Sequence, residues 1–220
     1  MLKTRVYIDG YNLYYGVLRN SAYKWLDVYR LFAEGVLDGA KTELDNVSYY
    51  TAPILRKMCD DPESPQRQRT YLAALNKRYP HQVRIVQGKL IASRVKRRVI
   101  DGVACGELVE VLDFEEKKTD VSIAVDMLAD AFSGSLEQFV LCTNDSDLAP
   151  ALAKIKQLKP EVRIGLIAPV QGDVRRVSND LKQYCDWHKT LSPFHLVQAQ
   201  LPDKIPHTSI KKPAAWLLQG

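Results

Sequence analysis

Short apolar runs that alternate with amphipathic helical patterns constrain the fold of this chain more than any other feature. Five runs are typical of buried strands: Arg5–Asp9, Val47–Thr51, Val83–Gln87, Phe139–Thr143 and Val162–Ile167. Helical spacing of apolar residues follows over 26–37, 64–79, 119–132 and 146–158. Because strands that alternate with helices form parallel sheets, the pattern predicts an α/β fold with helices on both faces.

One segment, residues 88–115, interrupts this alternation. Lys89–Ile100 and Glu107–Phe114 each alternate apolar and polar residues, and turn-forming residues separate them. This pattern predicts an inserted β-hairpin arm. Three cations share one face of its first strand, about 6–7 Å apart, a spacing close to that of nucleic-acid phosphates. They are Arg94, Lys96 and Arg98, for which an ordinary solvated strand face is the alternative interpretation.

Length and composition narrow the class of protein. The chain has 220 residues, which predicts one domain over residues 1–200 followed by an extended tail, 201–220, that docks through Trp216 and Leu217 or is mobile. The net charge of +5 is compatible with a polyanionic partner. Four scattered cysteines without a CxxC pair favour reduced thiols in the cytoplasm. The chain runs directly into its first strand and has no apolar run of membrane-spanning length, so we expect no signal peptide and no membrane association.

Four aspartates lie where an apolar run gives way to polar residues: Asp9, Asp120, Asp145 and Asp147. If the strands before Asp9 and Asp145 are parallel neighbours, their carboxylates meet at one edge of the sheet. Clustered like charges are costly unless a cation neutralises them, and hard divalent cations prefer oxygen ligands. The pattern predicts Mg²⁺- or Mn²⁺-dependent chemistry on phosphates. Helix capping by Asp147 and a macrodipole contribution from Asp120 are the plainer alternatives.

Three polar residues are candidates to support this cluster. Asn12 either hydrogen-bonds Asp9 or substrate, or caps the helix that begins near residue 13. Glu116 is a candidate extra acid at the rim of the crevice. Asp126 lies about 240° around the helix from Asp120, so we expect it to organise the surroundings of the site or to bond Ser122.

Further residues are candidates for contacts with nucleic acid. Tyr11 follows the first acid closely, and its ring is suited to stacking on a base, although core packing is the alternative. Lys118 and Arg175 are predicted to contact phosphates, and a solvated helix face is the alternative for Arg175.

The chain resembles the NYN branch of the PIN-like nuclease superfamily. Three motifs carry the resemblance, which spans residues 3–192: Tyr7–Leu13, Glu115–Leu128 and Thr143–Leu148. The resemblance implies a five-stranded parallel sheet of order 3-2-1-4-5 and a metal-dependent ribonuclease site. Lys118 departs from the family pattern, because similar proteins often have glycine there. Because of this departure, the sequence does not fix the residue at which the following helix begins.

The favoured hypothesis is hydrolysis of single-stranded RNA, with Asp9, Asp120 and Asp145 as metal ligands and Asp147 as a further catalytic acid. A non-catalytic RNA-binding or adaptor module on the same fold is the alternative. A haloacid-dehalogenase-like phosphatase needs a second aspartate where the chain has Tyr11. A Rossmann nucleotide-binding module is disfavoured because GxGxxG and GxxxxGK[ST] motifs are absent. Homodimer formation is left open.

Overall fold

The computed structural model describes residues 1–101, 105–170 and 176–217. Across these residues one sheet contains six strands in the order β3-β2-β1-β6-β7-β8, and each neighbouring pair is parallel. A separate antiparallel pair joins β4 to β5. The strands are β1 (Leu2–Asp9), β2 (Thr42–Thr51), β3 (Val83–Gln87), β4 (Lys89–Arg98), β5 (Leu108–Lys117), β6 (Gln138–Cys142), β7 (Arg163–Ala168) and β8 (Trp187–Thr190).

Helices connect the parallel strands. The α-helices are α1 (Gly10–Leu13), α2 (Val28–Arg30), α3 (Ser64–Arg78), α4 (Thr119–Ser133), α5 (Ala149–Leu158), α6 (Asn179–Lys182) and α7 (Pro193–Gln198). The first two continue as π-helical turns over Tyr14–Leu18 and Leu31–Val36. Short 3₁₀ turns cover Arg56–Met58, Ser146–Leu148 and Ala214–Trp216. The segment 146–148, predicted as the start of an α-helix, is therefore 3₁₀.

The α/β architecture with a parallel sheet is confirmed, but the prediction of five strands in the order 3-2-1-4-5 is wrong. The additional strand is β8, which pairs with β7 at the edge of the sheet. Its four residues, Trp187–Thr190, include three exposed polar side chains, His188, Lys189 and Thr190. Short, polar edge strands protect a sheet from further pairing, and they lack the apolar run by which buried strands are identified.

Successive side chains of a strand point to opposite faces of the sheet. The buried strands carry apolar residues on both faces, and helices cover each face. Val6 and Ile8 of β1 are fully buried in the core beneath α1–α3. Tyr7, between them, belongs to a second core with Met127 of α4 and Leu152 of α5. The two cores fix the ends of β1 and β6, and thereby the crevice beyond those ends.

The inserted arm forms as predicted, although its second strand is longer. Lys89 pairs with Lys117 and Arg98 with Leu108, so β5 extends three residues beyond the predicted end at 114. This extension brings the chain directly to the start of α4.

The C-terminal segment packs on the domain through its described part. Leu201 and Ile205 are buried, and the ring of Trp216 lies 6.2 Å from that of Trp25. Leu217, expected to dock beside Trp216, is half exposed. The division into domain and tail at residue 200 stays a prediction.

Within the described residues, no helix combines the length and the apolar character that crossing a lipid bilayer requires.

Gly16 lies where the first helix meets the loop after β7. A Cβ atom at Gly16 would lie 1.9 Å from the carbonyl oxygen of Pro169, whereas a Cβ at Gly35 would meet nothing within 4 Å. We expect Gly16→Ala to lower the free energy of unfolding by roughly 1–3 kcal/mol through overpacking. Gly35→Ala, the matched control, is expected to be neutral or stabilising. Urea denaturation measures both, and equal effects would contradict this packing.

Candidate metal centre

Three carboxylates from three separate elements converge beyond the carboxyl ends of β1 and β6. Asp9 ends β1, Asp145 follows β6, and Asp120 lies in the first turn of α4. One oxygen from each carboxylate lies within 4.8 Å of the others. Because β1 and β6 are paired parallel neighbours, with Ile8 opposite Cys142, both strand ends open on the same crevice.

Asp9 is the most buried acid of the cluster, with 5% of its surface exposed. Its carboxylate caps α1 by accepting the backbone N–H of Asn12 at 2.9 Å, and its other oxygen accepts the hydroxyl of Thr143 at 2.9 Å. Burial raises the pKa of Asp9 to about 6, and the charges of Asp120 and Asp145 add to the rise while the two hydrogen bonds oppose it. The carboxylate is therefore fixed in position and costly to ionise without a cation.

Asp145 both caps a turn and joins the acid cluster. It is the N-cap of the 3₁₀ turn that follows β6, and it accepts the backbone N–H of Asp147 at 3.0 Å. Asp147 is exposed and outside the group of three, although its charge contributes to the raised pKa of Asp120 after burial and Asp145. The structure thus assigns the cap to Asp145 rather than to Asp147.

Two residues for which the sequence predicts no role, Thr143 and Asn144, support the loop that carries Asp145. Thr143, fully buried, donates to Asp9 and accepts the backbone N–H of Asp145 at 3.1 Å. The side chain of Asn144 donates to the carbonyl of Arg176 at 3.0 Å and accepts the N–H of Ser178 at 2.8 Å. The sequence does contain a signal for these roles, because both residues lie between an apolar strand and Asp145.

Asn12 links the two strand ends. Its side-chain oxygen accepts the backbone N–H of Asn144 at 3.0 Å, while its own N–H donates to Asp9. Of the predicted alternatives, the backbone hydrogen bond to Asp9 is observed. The side chain acts by tying the start of α1 to the end of β6.

Glu116 lies next to the cluster at the end of β5. It accepts the hydroxyl of Thr119 at 2.5 Å. Burial raises the pKa of Glu116 to about 7, and the charges of Asp9 and Asp120 add to the rise. Its carboxyl therefore stands within electrostatic reach of two of the three acids.

The acid cluster fits a hard divalent cation. In residues 1–101, 105–170 and 176–217, no lysine or arginine forms an ion pair with Asp9, Asp120 or Asp145. The set offers carboxylate oxygens without imidazole or thiolate, which is the donor chemistry of Mg²⁺ and Mn²⁺. A bound cation would offset the repulsion that raises the pKa of Asp9.

Asp126 is engaged elsewhere. Its carboxylate accepts the hydroxyl of Tyr50 at 2.7 Å and forms an ion pair with Arg84. The predicted bond to Ser122 is replaced by these contacts. They tie α4 to the strands β2 and β3 beneath it, so any influence of Asp126 on the cluster is through the placement of its helix.

Lys118 has a strained backbone at the start of α4. It is the N-cap residue with φ 79°, in the left-handed region that favours glycine. This conformation explains why similar proteins often have glycine at this position.

Substitution of Lys118 separates backbone strain from side-chain effects. We expect Lys118→Gly to raise the free energy of unfolding by about 1 kcal/mol because glycine adopts positive φ without cost. Lys118→Ala, which keeps the Cβ but removes the charge, is the control and is expected to give no such gain. Thermal denaturation tests the pair, and a gain shared equally by alanine would contradict the explanation.

The three cations predicted to contact nucleic acid on the arm lie near acidic or carbonyl groups. On the arm, Arg94 pairs with Glu110 at 3.4 Å, Arg98 donates to the carbonyl of Gly106 at 2.7 Å, and Lys96 lies opposite Glu110. The positive stripe is thus partly neutralised by Glu110.

Two further candidates complete the set. Tyr11 is partly buried and donates its hydroxyl to the carbonyl of Ala52 at 3.3 Å. Arg175 lies outside the described residues, and its contact with phosphate stays a prediction.

A family model, a named protein and a solved structure are similar to this chain. A family model described as the NYN domain matches residues 3–192. A protein of Pseudomonas putida (strain DSM 28022 / S16) named 6-hydroxy-3-succinoylpyridine 3-monooxygenase HspA is 32% identical over 98% of this chain and 75% of its own length. A crystal structure of a protein of unknown function from Vibrio parahaemolyticus aligns with TM-score 0.49 and 19% identity over 91% of this chain and 96% of that one. The chain belongs to the NYN domain family, with its nuclease-like fold.

Proposed function

We propose that this protein is a ribonuclease that uses Mg²⁺ or Mn²⁺ to hydrolyse phosphodiester bonds of single-stranded RNA. The observation that carries the proposal is the convergence of Asp9, Asp120 and Asp145 within 4.8 Å. Three carboxylates without a paired cation are costly for a fold to maintain, and a site for a divalent ion accounts for them. Membership of the NYN family supports a nuclease-like role for this crevice.

In this proposal the chain supplies a rigid oxygen site. Asp9 is held by the N–H of Asn12 and the hydroxyl of Thr143, and Asp145 is held by the N–H of Asp147, so the ligands are oriented before an ion arrives. When bound, the cation supplies a nucleophile from water at neutral pH and neutralises charge on the reacting phosphate. Asp147 and Glu116, which interact electrostatically with Asp120, are proposed to assist in proton transfer.

Basic residues outside the acid cluster are proposed to bind the RNA backbone. Lys118 is exposed at the start of the helix that carries Asp120, and Lys96 is exposed on the arm. Together with Arg175 they are proposed to contact phosphates, and the net charge of +5 favours a polyanionic partner.

The name of the Pseudomonas putida relative favours a second candidate function, monooxygenation of a heteroaromatic ring. Monooxygenation requires a group that activates dioxygen, such as a flavin or a redox-active metal. The acid cluster lacks histidine, whereas non-haem iron oxygenases use two histidines and one carboxylate. The donor set therefore favours hydrolysis of phosphodiesters.

One assay separates these functions. Purified protein is incubated with end-labelled single-stranded RNA in Mg²⁺, Mn²⁺ or EDTA, and oxygen uptake is followed in parallel with NADH, flavin and a hydroxylated pyridine. We expect RNA products with either metal, none in EDTA, and no substrate-dependent oxygen uptake. Metal-independent cleavage contradicts the proposed role of the cluster. RNA binding without cleavage in either metal favours the adaptor alternative.

A further inference from the structure

A pocket of about 450 Å³ opens between the first helical segment, β2 and α3, and none of the three clustered aspartates lines it. Its volume falls within the range of small-molecule sites. Six aromatic side chains contribute to its lining: Tyr11, Tyr14, Tyr15, Tyr49, Tyr71 and Trp216. We refer to it as the aromatic pocket.

The rings come from four separate elements: the first helical segment, β2, α3 and the C-terminal 3₁₀ turn. Tyr14 and Tyr15 are exposed on the first helical segment, with ring centroids 5.3 Å apart. Tyr71 is buried, and its centroid lies 6.2 Å from Tyr49 and 6.4 Å from Trp216. An exposed pair of rings facing a crevice provides surfaces on which a planar ring stacks.

Tyr49 supplies a polar group without a protein partner. It is 6% exposed, its side chain lines the aromatic pocket, and its hydroxyl forms no hydrogen bond with any residue in the described ranges. Because its side chain lines the pocket, this hydroxyl is available to donate to or accept from a ligand there.

Two cations with no acid partner lie at the same pocket. The ammonium of Lys24 is partly buried and donates to the carbonyl of Ser21 at 3.0 Å, and the guanidinium of Arg19 lies 5.4 Å over the ring of Tyr15. Throughout the described chain, neither forms an ion pair with a carboxylate. Burial lowers the pKa of Lys24, and nearby Arg67 lowers it further. An anion at this position would reverse that effect.

The acids of the aromatic pocket do not cancel these charges. Asp61 is paired with Arg67 at 2.5 Å, so those two residues largely neutralise one another. Asp60 also lines the pocket, and among the described residues it forms no ion pair, so Arg19 and Lys24 face one such acid. The net charge of the pocket lining beside the rings is therefore positive.

The pocket begins where the acid cluster ends. Gly10 and Tyr11, which line it, directly follow Asp9 along the chain. A Cβ atom at Gly10 would lie 2.9 Å from the hydroxyl of Tyr49 and 2.6 Å from the carbonyl of Tyr50, so Gly10 packs directly against β2 and a larger residue does not fit there. Burial and the charge of Asp9 raise the pKa of Tyr49, so this wall of the pocket lies within electrostatic reach of that carboxylate.

We propose that the aromatic pocket binds a planar heteroaromatic ring that carries a negative charge, with the ring among the tyrosines and the anion at Lys24 and Arg19. This inference rests on the proposed function for its biological source, which is then one nucleotide of the RNA substrate beside the scissile phosphate. A free heteroaromatic acid has the same chemistry and is the other source.

Calorimetric titration in EDTA tests binding without any contribution from metal. The ligands are adenosine and uridine 5′-monophosphates, neutral adenosine, and pyridine-3-carboxylate. We expect the nucleotides to bind wild-type protein, Lys24→Ala to weaken them about tenfold while leaving adenosine unchanged, and Tyr14→Ala to weaken all ring ligands about tenfold. Lys57→Ala removes an exposed charge that does not line the pocket and is expected to change nothing.

The outcomes are distinct from those of the nuclease assay. Binding of pyridine-3-carboxylate but not of nucleotides supports the ring-and-anion site and assigns it to a free acid. No binding of any ligand, or equal binding by wild type, Lys24→Ala and Tyr14→Ala, overturns the inference even if RNA is cleaved. Nucleotide binding that depends on Lys24, in a protein that cleaves no RNA, overturns the nuclease and leaves the pocket.

Discussion

Replacement of Asp145 by Asn is expected to reduce metal-dependent RNA cleavage by about 10³-fold, because a divalent ion contributes several kcal/mol to such reactions. The carboxylate of Asp145 lies within 4.8 Å of those of Asp9 and Asp120. Asparagine is also a good N-cap, so the turn after β6 is expected to remain intact. Initial rates with labelled RNA at saturating Mg²⁺ measure the effect.

Asp180→Asn is the matched control for this substitution. Asp180 is exposed in the first turn of α6, so the change removes the same charge without touching the cluster. We expect wild-type rates from it. Full activity in Asp145→Asn, or an equal loss in Asp180→Asn, would exclude a specific role for Asp145.

Asp9→Asn is expected to stabilise the protein in EDTA at pH 8 by about 2 kcal/mol. Burial and the neighbouring acids raise the pKa of Asp9 from 3.8 to about 6, a shift that corresponds to about 3 kcal/mol. An amide carries no charge, although it replaces one accepting oxygen by a donor toward Thr143. Urea denaturation of both proteins gives the difference.

The pH dependence gives the sign of this effect. Below pH 3.8 Asp9 is protonated in folded and unfolded chains, so its ionisation has no influence on stability. As the pH rises toward about 6 the unfolded chain loses its proton first, so wild-type stability falls, and the penalty is complete above that pH. The advantage of Asp9→Asn should therefore grow from pH 4 to pH 6.5.

Metal should reverse the order of stability. Mn²⁺ is expected to raise the melting temperature of wild-type protein and to leave that of Asp9→Asn nearly unchanged, because binding to the folded state alone stabilises it. If Asp9→Asn is less stable than wild type in EDTA at pH 8, the ionised carboxylate of Asp9 does not destabilise the folded protein.

The positions of the acids follow from the sequence by a simple physical rule. Asp9 and Asp145 each come directly after an apolar run, and the carboxyl ends of parallel strands lie on one edge of the sheet. Asp120 is predictable as a residue of a first helical turn, because an apolar helical pattern starts beside it. The inserted arm was equally predictable, since alternation on both sides of a glycine-containing turn is a local property.

Other features depend on contacts that no local pattern encodes. The edge strand β8 is short and polar, so it lacks an apolar run. The aromatic pocket joins Tyr14, Tyr49 and Trp216 from distant parts of the chain, and only tertiary packing brings them together. The hydrogen bonds of Thr143 follow from the register of β6 beside β1.

Calorimetric titration with Mn²⁺ tests the central claim, that Asp9, Asp120 and Asp145 hold one ion together. Wild-type protein and the three single Asp→Asn variants are titrated, with Asp180→Asn as control and circular dichroism to verify folding. We expect saturable binding by wild type and control, and at least tenfold weaker binding in each of the three variants. Unchanged Mn²⁺ affinity in folded Asp9→Asn, Asp120→Asn and Asp145→Asn would contradict it.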